Sequence, residues 1–203
     1  MLSPREAIKA TARLVAHLAA APFVASFTLR AALVGRDHAI QSSTQLLALV
    51  PGLTGQYIRR AFLTWTIAGC HCTAVVEYGT TFSHAGARLE EHVYIGPGCH
   101  HGLVHVEANV LMASGVQVPS GANTHRMDDH VRLIREQGSA ERIVRIGAGS
   151  WIGASAVVMA DVGAHSVVGA GAVVTQPVPG KVVAAGVPAR VLWARGERPA
   201  TAV

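Results

Sequence analysis

The stretch that decides the fold is IGAGSWIGASAVVMADVGAHSVVGAGAVV, which occupies residues 146–174. Branched aliphatic residues recur in it every six positions, with one step of four, and Gly follows most of them. The repeating positions are Ile146, Ile152, Val158, Val162, Val168 and Val174. An amphipathic helix would space its apolar residues by three and four, and a simple strand would alternate without a Gly at a fixed phase. The period therefore fits neither element.

The same period, with steps of seven and five, is present before a polar segment and indicates a solenoid. The candidate inward positions there are Val76, Phe82, Leu89, Ile95, Val106, Met112 and Val118. Small residues stand two positions before several of the aliphatics, namely Ser150, Ala156, Ser166 and Ala172. In such repeats each hexad is a short strand with a turn, and three strands form one triangular coil around stacked aliphatic side chains. We therefore predict a mainly β protein built as a parallel β-helix.

Three segments resemble the hexapeptide-repeat acyltransferase family: WIGA at 151–154, VGAGAVVT at 168–175 and VVAAGVPAR at 182–190. Upstream, PGLTGQYIRRAF at 51–62 and VYIGPGC at 93–99 resemble its exopolysaccharide and serine acetyltransferase-like branch. The resemblance covers about residues 73–195. It implies a left-handed β-helix, against the usual right-handed crossover rule. It also implies an acetyl-CoA-dependent acyltransferase.

The residues before the repeats predict a helical segment, residues 1–72. Ser3-Pro4-Arg5-Glu6 has the pattern of a capping box with Pro at the first helical position, and Pro22 predicts a break. The expected pieces are a helix from Pro4 to about Ala20, a second from Phe23 to Val34, and short ones at Leu46–Leu49 and Gln56–Trp65. The apolar run Leu14–Val34 is long enough to span a bilayer, but His17, Pro22 and Arg30 within it favour packed or interfacial helices. After these helices we expect the β-helix at 73–195, with an inserted loop at 119–145, and a tail at 196–203.

Composition narrows the function classes only moderately. The 203 residues carry a formal charge of +5, which would suit an anionic ligand or a membrane surface, although a solvated surface explains such an excess more often. The pattern Cys70-His71-Cys72 has no second pair, so a zinc ribbon is not expected, and reduced thiols indicate a cytoplasmic protein. We expect no nucleic-acid partner.

The segment from Pro119 to Val144 breaks the repeat and is the candidate catalytic loop. Long insertions in compact folds are often functional. The resemblance places the catalytic histidine of the family just after the hexad that precedes such a loop, which here is His125. An imidazole titrates near neutrality, so it would remove the proton of an acceptor hydroxyl and return it to the thiolate leaving group. Asp128 or Asp129 could orient that ring, although acidic residues of a loop are more often only solvated.

The resemblance also implies a groove for the long acetyl-CoA molecule between neighbouring subunits of a homotrimer. Gly and Ala corners would let the pantetheine arm lie against the backbone, and a basic side chain would meet the phosphates. The residues implied are Trp151, Gly153, Ala154, Ala170, Thr175, Gln176, Lys181 and Arg190. Alternatively, the Gly and Ala residues only turn corners. For the acceptor we expect His84, His100, His101, Asn123 and Asp128. Alternatively, the three histidines are ordinary core or surface residues. No metal is expected.

These residues predict an O-acetyltransferase that acts on a hydroxyl of a sugar or polysaccharide precursor. Serine or an antibiotic is an alternative acceptor. A zinc hydratase of the γ-carbonic anhydrase type is a second alternative, because His100 and His105 resemble part of its zinc site. A non-catalytic scaffold is a third. The helical segment would dock on the end of the solenoid or rest peripherally on a membrane.

Overall fold

The computed structural model describes residues 4–197, so the predicted Ser3 cap and residues 198–203 of the predicted tail lie outside the described residues. Within this range the helices α1 (Pro4–Val34), α2 (Arg36–Ala48) and α3 (Gly52–Thr66) come first. The strands that follow are β1 (Gly69–Cys70), β2 (Val75–Val76), β3 (Thr81–Phe82), β4 (Arg88–Leu89), β5 (Tyr94–Ile95), β6 (His100–His101), β7 (Val104–Val106), β8 (Leu111–Met112), β9 (Gln117–Val118), β10 (Val144–Ile146), β11 (Trp151–Ile152), β12 (Val157–Val158), β13 (Val167–Val168), β14 (Val173–Val174), β15 (Val182–Ala185) and β16 (Arg190–Ala194). A short 3₁₀ helix, Ile134–Glu136, lies between β9 and β10.

The strands form three sheets that wind around one axis. Sheet A has the order β1-β4-β7-β10, sheet B has the order β16-β15-β13-β11-β8-β5-β2, and sheet C has the order β14-β12-β9-β6-β3. Up to β12, every third strand joins the same sheet and pairs in parallel with the strand one coil earlier. After β10, sheet A continues through the isolated bridges Ile146–Val162 and Val162–Val178, so every second strand then joins the same sheet, until β16 ends sheet B by pairing antiparallel with β15. The result is a β-solenoid of about six turns, which confirms the left-handed β-helix expected from the sequence.

The core consists of the aliphatic residues that the period of six singled out, and all of them are buried. In sheet B, for example, Ile95 pairs with Met112, which pairs with Ile152, which pairs with Val168. Successive residues of a strand point to opposite faces, so each two-residue strand contributes one inward and one outward side chain. The inward ones stack from coil to coil.

Gly153 shows why a residue without a side chain follows many of these aliphatics. A Cβ at Gly153 would lie 2.5 Å from Ala170 N and 2.8 Å from Ala170 Cα in the next coil. Such distances are far inside van der Waals contact, so only Gly lets the two coils approach at this corner. Close stacking of coils, which the core requires, therefore selects this glycine.

Helix α1 contradicts the predicted break, because it continues through Pro22 as one helix of 31 residues. Pro22 lies on the exposed side of the helix. The carbonyl that loses its partner, that of Leu18, therefore belongs to a residue on the solvent-accessible side, and packing of α1 against α2 and α3 maintains the helix. The helix ends where we expected, at Gly35, whose φ of 88° is in the region that favours glycine. The short pieces predicted at Leu46–Leu49 and Gln56–Trp65 are parts of α2 and α3.

Helices α2 and α3 cover the open end of the first coil. Thr44 Oγ1 donates to Phe82 O at 3.0 Å and accepts from Phe82 N at 3.1 Å. The Arg59 side chain donates to Val76 O at 3.0 Å, and Asp37 Oδ1 accepts from Ala85 N at 2.8 Å. These contacts occupy backbone groups and cover apolar surface that a bare solenoid end would expose. The expected docking of the helices on the solenoid end is therefore confirmed for α2 and α3.

Two predicted boundaries shift slightly. Strand β1 begins at Gly69, inside the segment that we assigned to helices, because its pairing with β4 extends the solenoid toward α3. The inserted loop ends at residue 143, because Val144 already pairs with Val104 in sheet A.

Candidate active site

The predicted loop leaves the solenoid where sheet C turns into sheet A, and we call this corner the C–A edge. Its segments are 83–87, 102–103, 119–143, 159–161 and 175–177. At the root of the loop, Arg142 N donates to Ser120 O at 2.9 Å and so joins the outgoing and returning chain. The Arg142 guanidinium also donates to Asp161 Oδ1 at 3.2 Å and to the Met159 carbonyl. The root is therefore attached to the next coil.

Two further contacts link the outgoing and returning halves of the loop. Arg126 N donates to Gly138 O at 3.1 Å. Nearer the tip, the Gln137 side chain accepts from Asp129 N at 3.0 Å and donates to Asp129 O at 2.8 Å and to Arg132 O at 2.9 Å. The loop is thus a closed excursion with its own hydrogen bonds.

His125 lies immediately before the contact between Arg126 and Gly138, and its side chain is exposed. That contact restricts the backbone beside His125. Within residues 4–197 no hydrogen bond occupies its ring. An exposed ring on a restrained backbone can meet a ligand and accept a proton from it.

A hydrogen-bond network around His84 connects the solenoid to the root of the loop. His84 Nδ1 lies 2.9 Å from Ser83 Oγ and 3.4 Å from Ser120 Oγ. His84 Nε2 lies 3.1 Å from Glu141 Oε2. Ser120 precedes the loop excursion and Glu141 ends it, so one imidazole contacts both sides of the root.

Replacement of His84 by alanine is expected to loosen the loop. Loss of the ring removes contacts to both Ser120 and Glu141, so amide exchange in residues 119–143 should accelerate by about tenfold while the solenoid core stays protected. Hydrogen–deuterium exchange with mass spectrometry measures this directly. Glu141→Ala should give the same change, and the double variant should add little to either single one. The exposed His165, on another edge, is the matched control as His165→Ala. Unchanged loop exchange in His84→Ala would contradict this role.

His100 is half-buried on the outward face of sheet C, close to His84. Its Nδ1 lies 2.8 Å from Thr81 Oγ1 in the preceding coil. Burial lowers the pKa of His100, and the charge of the neighbouring His84 lowers it further. The structure therefore brings His100 close to His84 of the C–A edge, and their role in binding an acceptor stays a prediction.

His101 contradicts its predicted role in binding an acceptor. It is the inward residue of β6, with no exposed surface, and its ring centroid lies 5.2 Å from that of Phe82. The alternation within a two-residue strand turns His101 inward when it turns His100 outward. Neither ring nitrogen has a hydrogen-bond partner among the described residues. Burial, with a smaller contribution from His100, lowers the pKa of His101 to about 3.

This buried imidazole predicts an acid-sensitive fold. The pKa of His101 is about 3 in the folded chain against an ordinary value of 6.5, so the unfolded chain takes up the proton first as the pH falls. Stability should be unaffected by His101 above pH 6.5 and should fall between pH 6.5 and 3, by about 1 kcal/mol per pH unit. Urea denaturation at pH 7.5 and pH 5 tests this. His101→Leu should reduce the pH dependence and the exposed control His165→Leu should keep it; equal dependence in both variants would contradict the assignment.

Asn123 and Asp128 are exposed residues of the loop, on either side of His125. Among the described residues, neither side chain has a hydrogen bond that would single it out as part of a site. The Asp129 side chain, by contrast, stabilises the loop backbone. Asp129 Oδ1 accepts from Val131 N at 2.8 Å and from Arg132 N at 3.2 Å, which shapes the tip of the loop. Asp129 therefore orders the loop backbone instead of orienting the imidazole.

The residues implied for acetyl-CoA binding lie on different edges of the solenoid. Ala154 and Ala170 lie one above the other on the corner between sheets B and C, which we call the B–C edge, in segments 153–156 and 169–172. Trp151 lies beside them in sheet B, and 52% of it is exposed although large apolar residues are usually covered. Gly153 is buried, and the close approach of Ala170 already explains it, so the predicted cofactor contact of Gly153 is not supported.

The other four implied residues lie elsewhere. Thr175 and Gln176 are on the C–A edge, next to the segment that holds Asp161. Lys181 turns the corner between sheets A and B with a φ of 61°, and Arg190 begins the last strand. A single chain therefore does not bring all eight residues into one groove.

Sequence reasoning missed Ser83, Ser120 and Glu141, the partners of His84. Their signal was positional: Ser120 ends the hexad before the loop, and Glu141 stands just before the repeat resumes. Their mutual contact follows from the coil geometry, which the linear pattern does not contain.

A single chain does not assemble the zinc site of the second alternative, whose three histidines would come from two subunits. His100 projects from sheet C and His105 projects from sheet A, where His105 Nε2 lies 2.7 Å from Glu90 Oε1. The two histidines therefore face different sides of the triangle. Residues 4–197 contain no group of three His, Cys, Asp or Glu side chains arranged to hold a metal ion.

The sequence matches no family model and no curated protein. Solved structures do match. A maltose O-acetyltransferase from Clostridium difficile 630 superposes with a TM-score of 0.65 at 22% identity, over 80% of this chain and 87% of that chain. A galactoside acetyltransferase in complex with coenzyme A gives a TM-score of 0.57 at 24% identity, over 76% of this chain and 78% of that chain.

A third match extends the range of acceptors. A single-residue mutant of AntD, an N-acyltransferase from Bacillus cereus in complex with dTDP and coenzyme A, gives a TM-score of 0.52 at 16% identity, over 61% of this chain and 70% of that chain. This chain has the fold of these acyltransferases. At these identities the likeness concerns the fold, so the chemistry rests on the residues of the C–A edge.

Proposed function

We propose that this protein is an acetyl-CoA-dependent O-acetyltransferase that acts on a hydroxyl group of a sugar or polysaccharide precursor. The observation that carries the proposal is the position of His125, which is exposed on a restrained loop whose root contacts His84. One matched structure bears the name of a maltose O-acetyltransferase, and another bears the name of a galactoside acetyltransferase in complex with coenzyme A.

In the proposed reaction His125 acts as general base. The ring removes the proton of the acceptor hydroxyl while the oxygen attacks the thioester carbonyl of acetyl-CoA. The C–S bond then breaks, the acetyl group remains on the acceptor oxygen, and the protonated imidazole returns the proton to the thiolate of CoA. No covalent acyl-enzyme is required, because the two substrates meet in one cleft and proximity supplies much of the rate.

The acceptor would lie against the polar side chains of the C–A edge. His100 and His84 face this region, and the lowered pKa of His100 keeps that ring neutral near pH 7. A neutral imidazole both donates and accepts a hydrogen bond, which suits sugar hydroxyl groups. Asn123 and Asp128 would contribute from the loop.

A homotrimer would complete the acetyl-CoA site. Trp151 and the small residues of the B–C edge lie on a different edge from His125, so a site that uses both needs a neighbouring subunit. Tyr94, Leu111 and Trp151 form an outward apolar row in sheet B and are partly exposed, which supports such packing. Threefold cyclic symmetry would create three equivalent sites. The free thiols Cys70, Cys72 and Cys99 support a cytoplasmic location.

The test is an assay of thiol release from acetyl-CoA with a panel of acceptors: simple sugars, nucleotide-linked sugars, glycolipids, serine and chloramphenicol-like alcohols. Acceptor-dependent thiol release with a sugar or glycolipid would support the proposal. Thiol release with serine or the antibiotic alone would support acetyltransferase activity but would contradict the proposed sugar acceptor. Lack of both acetyl-CoA binding and thiol release would favour the non-catalytic scaffold.

A further inference from the structure

The positive charge of the chain is concentrated in its helical segment. Residues 1–66 contain seven Lys and Arg residues but only two acidic residues, whereas residues 67–203 contain ten of each kind. The formal excess of +5 therefore belongs entirely to the segment that precedes the solenoid. Arg59 is buried, but the remaining excess of positive charge attracts anionic partners and repels a second copy of the segment.

Helix α1 exposes a large apolar face within this positive segment. Leu14, Leu18, Leu29 and Leu33, which we call the α1 outer face, are each exposed over more than 60% of their surface. Steps of four and eleven residues place them on one side of a helix. The opposite side, with Ala16, Ala20 and Phe27, is buried. An apolar face of this length is unusual on a protein that is surrounded by water.

The charges stand before and after this face along the helix and not on it: Lys9 and Arg13 lie on the side of Ala16, and Arg30 turns toward α2. The sequence has no Lys, Arg, Asp or Glu between Arg13 and Arg30, while Lys9 and Arg13 stand before this stretch and Arg30 and Arg36 end it. An apolar face with basic residues at its ends is the composition of helices that lie in the interface of an anionic membrane.

Neighbouring helices extend the apolar surface. Between α1 and α3 lies an open groove of about 390 Å³ that Val15, Leu53 and Tyr57 line. A second groove, of about 370 Å³, lies between Leu18 and Trp65. Trp65 is exposed, and its Nε1 donates to His17 Nδ1 at 3.0 Å. Such an amphipathic aromatic side chain suits the boundary between headgroups and acyl chains.

The contacts of α1 decide between lying on a bilayer and crossing it. Ile8–Val34 is long and apolar enough to span a membrane by length and composition. However, Arg30 Nη2 of α1 donates to Ser43 Oγ of α2 at 2.8 Å, and His17 Nδ1 of α1 accepts from Trp65 Nε1 of α3 at 3.0 Å. These contacts hold α1 against α2 and α3, which are attached to the solenoid, so lipid cannot surround α1 on all sides. Only its outer face is available.

We propose that the helical segment docks on the surface of an anionic phospholipid bilayer, with the α1 outer face at the level of the headgroup–acyl boundary. The net positive charge of the segment then faces the anionic headgroups, and the solenoid projects away from the membrane. This binding requires no acetyl transfer, so it can be tested independently of the proposed activity.

Flotation of the full-length protein with lipid vesicles tests the proposal. One set of vesicles consists of phosphatidylcholine alone, and the other contains about one-third phosphatidylglycerol. The test variant is Leu14→Gln/Leu18→Gln/Leu29→Gln, which changes only exposed side chains. The matched control is Val131→Gln/Leu133→Gln/Ile134→Gln, three exposed apolar residues of the inserted loop. Circular dichroism and thermal unfolding are used to check that both variants keep the fold.

The wild type and the loop control are expected to float with the phosphatidylglycerol vesicles, less with pure phosphatidylcholine, and less at high salt. The partition of the α1 variant onto vesicles should be about tenfold weaker. Failure of the wild type to bind either vesicle would overturn the proposal, and so would equal binding by both triple variants. Sedimentation without lipid provides a further check on the oligomeric state. If the α1 variant alone loses an assembly that the wild type forms, a second copy of the chain covers this face and the membrane proposal is overturned. If the assembly is unchanged, the result supports docking on a membrane.

Discussion

Replacement of His125 by alanine is expected to lower the turnover of acetyl transfer by about 10²–10⁴-fold, the usual contribution of one acid–base group. The imidazole is the proposed acceptor of the hydroxyl proton, and alanine offers no replacement. The side chain is exposed, so the free energy of unfolding should change by less than about 0.5 kcal/mol. Thiol release at saturating acetyl-CoA measures the first quantity, and urea denaturation measures the second.

His130 provides the matched control, because it is a second exposed histidine of the same loop. His130→Ala should retain turnover within about threefold of the wild type. If His125→Ala and His130→Ala lose activity equally, the loop as a whole matters and His125 is not the base. Loss of both folding and activity in His125→Ala alone would make that residue structural.

Replacement of Ile152 by alanine is expected to destabilise the solenoid by about 2–5 kcal/mol. Ile152 has no exposed surface and lies between Met112 and Val168 in the inward stack of sheet B. The truncation leaves a cavity that the tightly stacked coils close only in part, because corners such as Gly153 already hold neighbouring coils at contact distance. Urea denaturation followed by circular dichroism measures the change.

A size series and an exposed control make this result specific. Ile152→Val should cost about 0.5–1.5 kcal/mol, and Val131→Ala, at a side chain that is 94% exposed, should cost less than about 0.5 kcal/mol. Comparable stability of Ile152→Ala and Val131→Ala would show that residue 152 is not part of a packed core.

The fold could be predicted from sequence because its core is a local, repeated pattern. Each coil poses the same packing problem, so positions such as Val118 and Val158 are recognised from their spacing alone, even across the inserted loop. His101 follows the same alternation as every other inward residue. We missed its burial because we considered the chemistry of histidine and not its position in the repeat.

The break predicted at Pro22 was wrong for a different reason. Proline costs a helix one hydrogen bond and some steric strain, which is a local penalty. In α1 the affected side is exposed, and tertiary packing of Ala16, Ala20 and Phe27 outweighs that penalty. The sequence alone does not reveal which side of the helix the proline faces.

The candidate site was only partly predictable. The loop could be predicted because it interrupts a regular pattern, and His125 could be predicted from the resemblance to the acyltransferase family. By contrast, the contact of His84 with Glu141 joins residues far apart in the chain, and it exists only because successive coils place their C–A corners above one another. The division of the acetyl-CoA residues among three edges likewise follows from the triangular cross-section.

The central claim is that a cleft of this β-helix brings an imidazole, a hydroxyl and a thioester together. A crystal structure of the protein with coenzyme A bound tests it most directly. The account predicts the pantetheine arm along Trp151, Ala154 and Ala170, with its sulfur about 3–5 Å from the His125 ring of a neighbouring subunit. Coenzyme A bound on sheet A or at a solenoid end, with its sulfur remote from every His125, would contradict it.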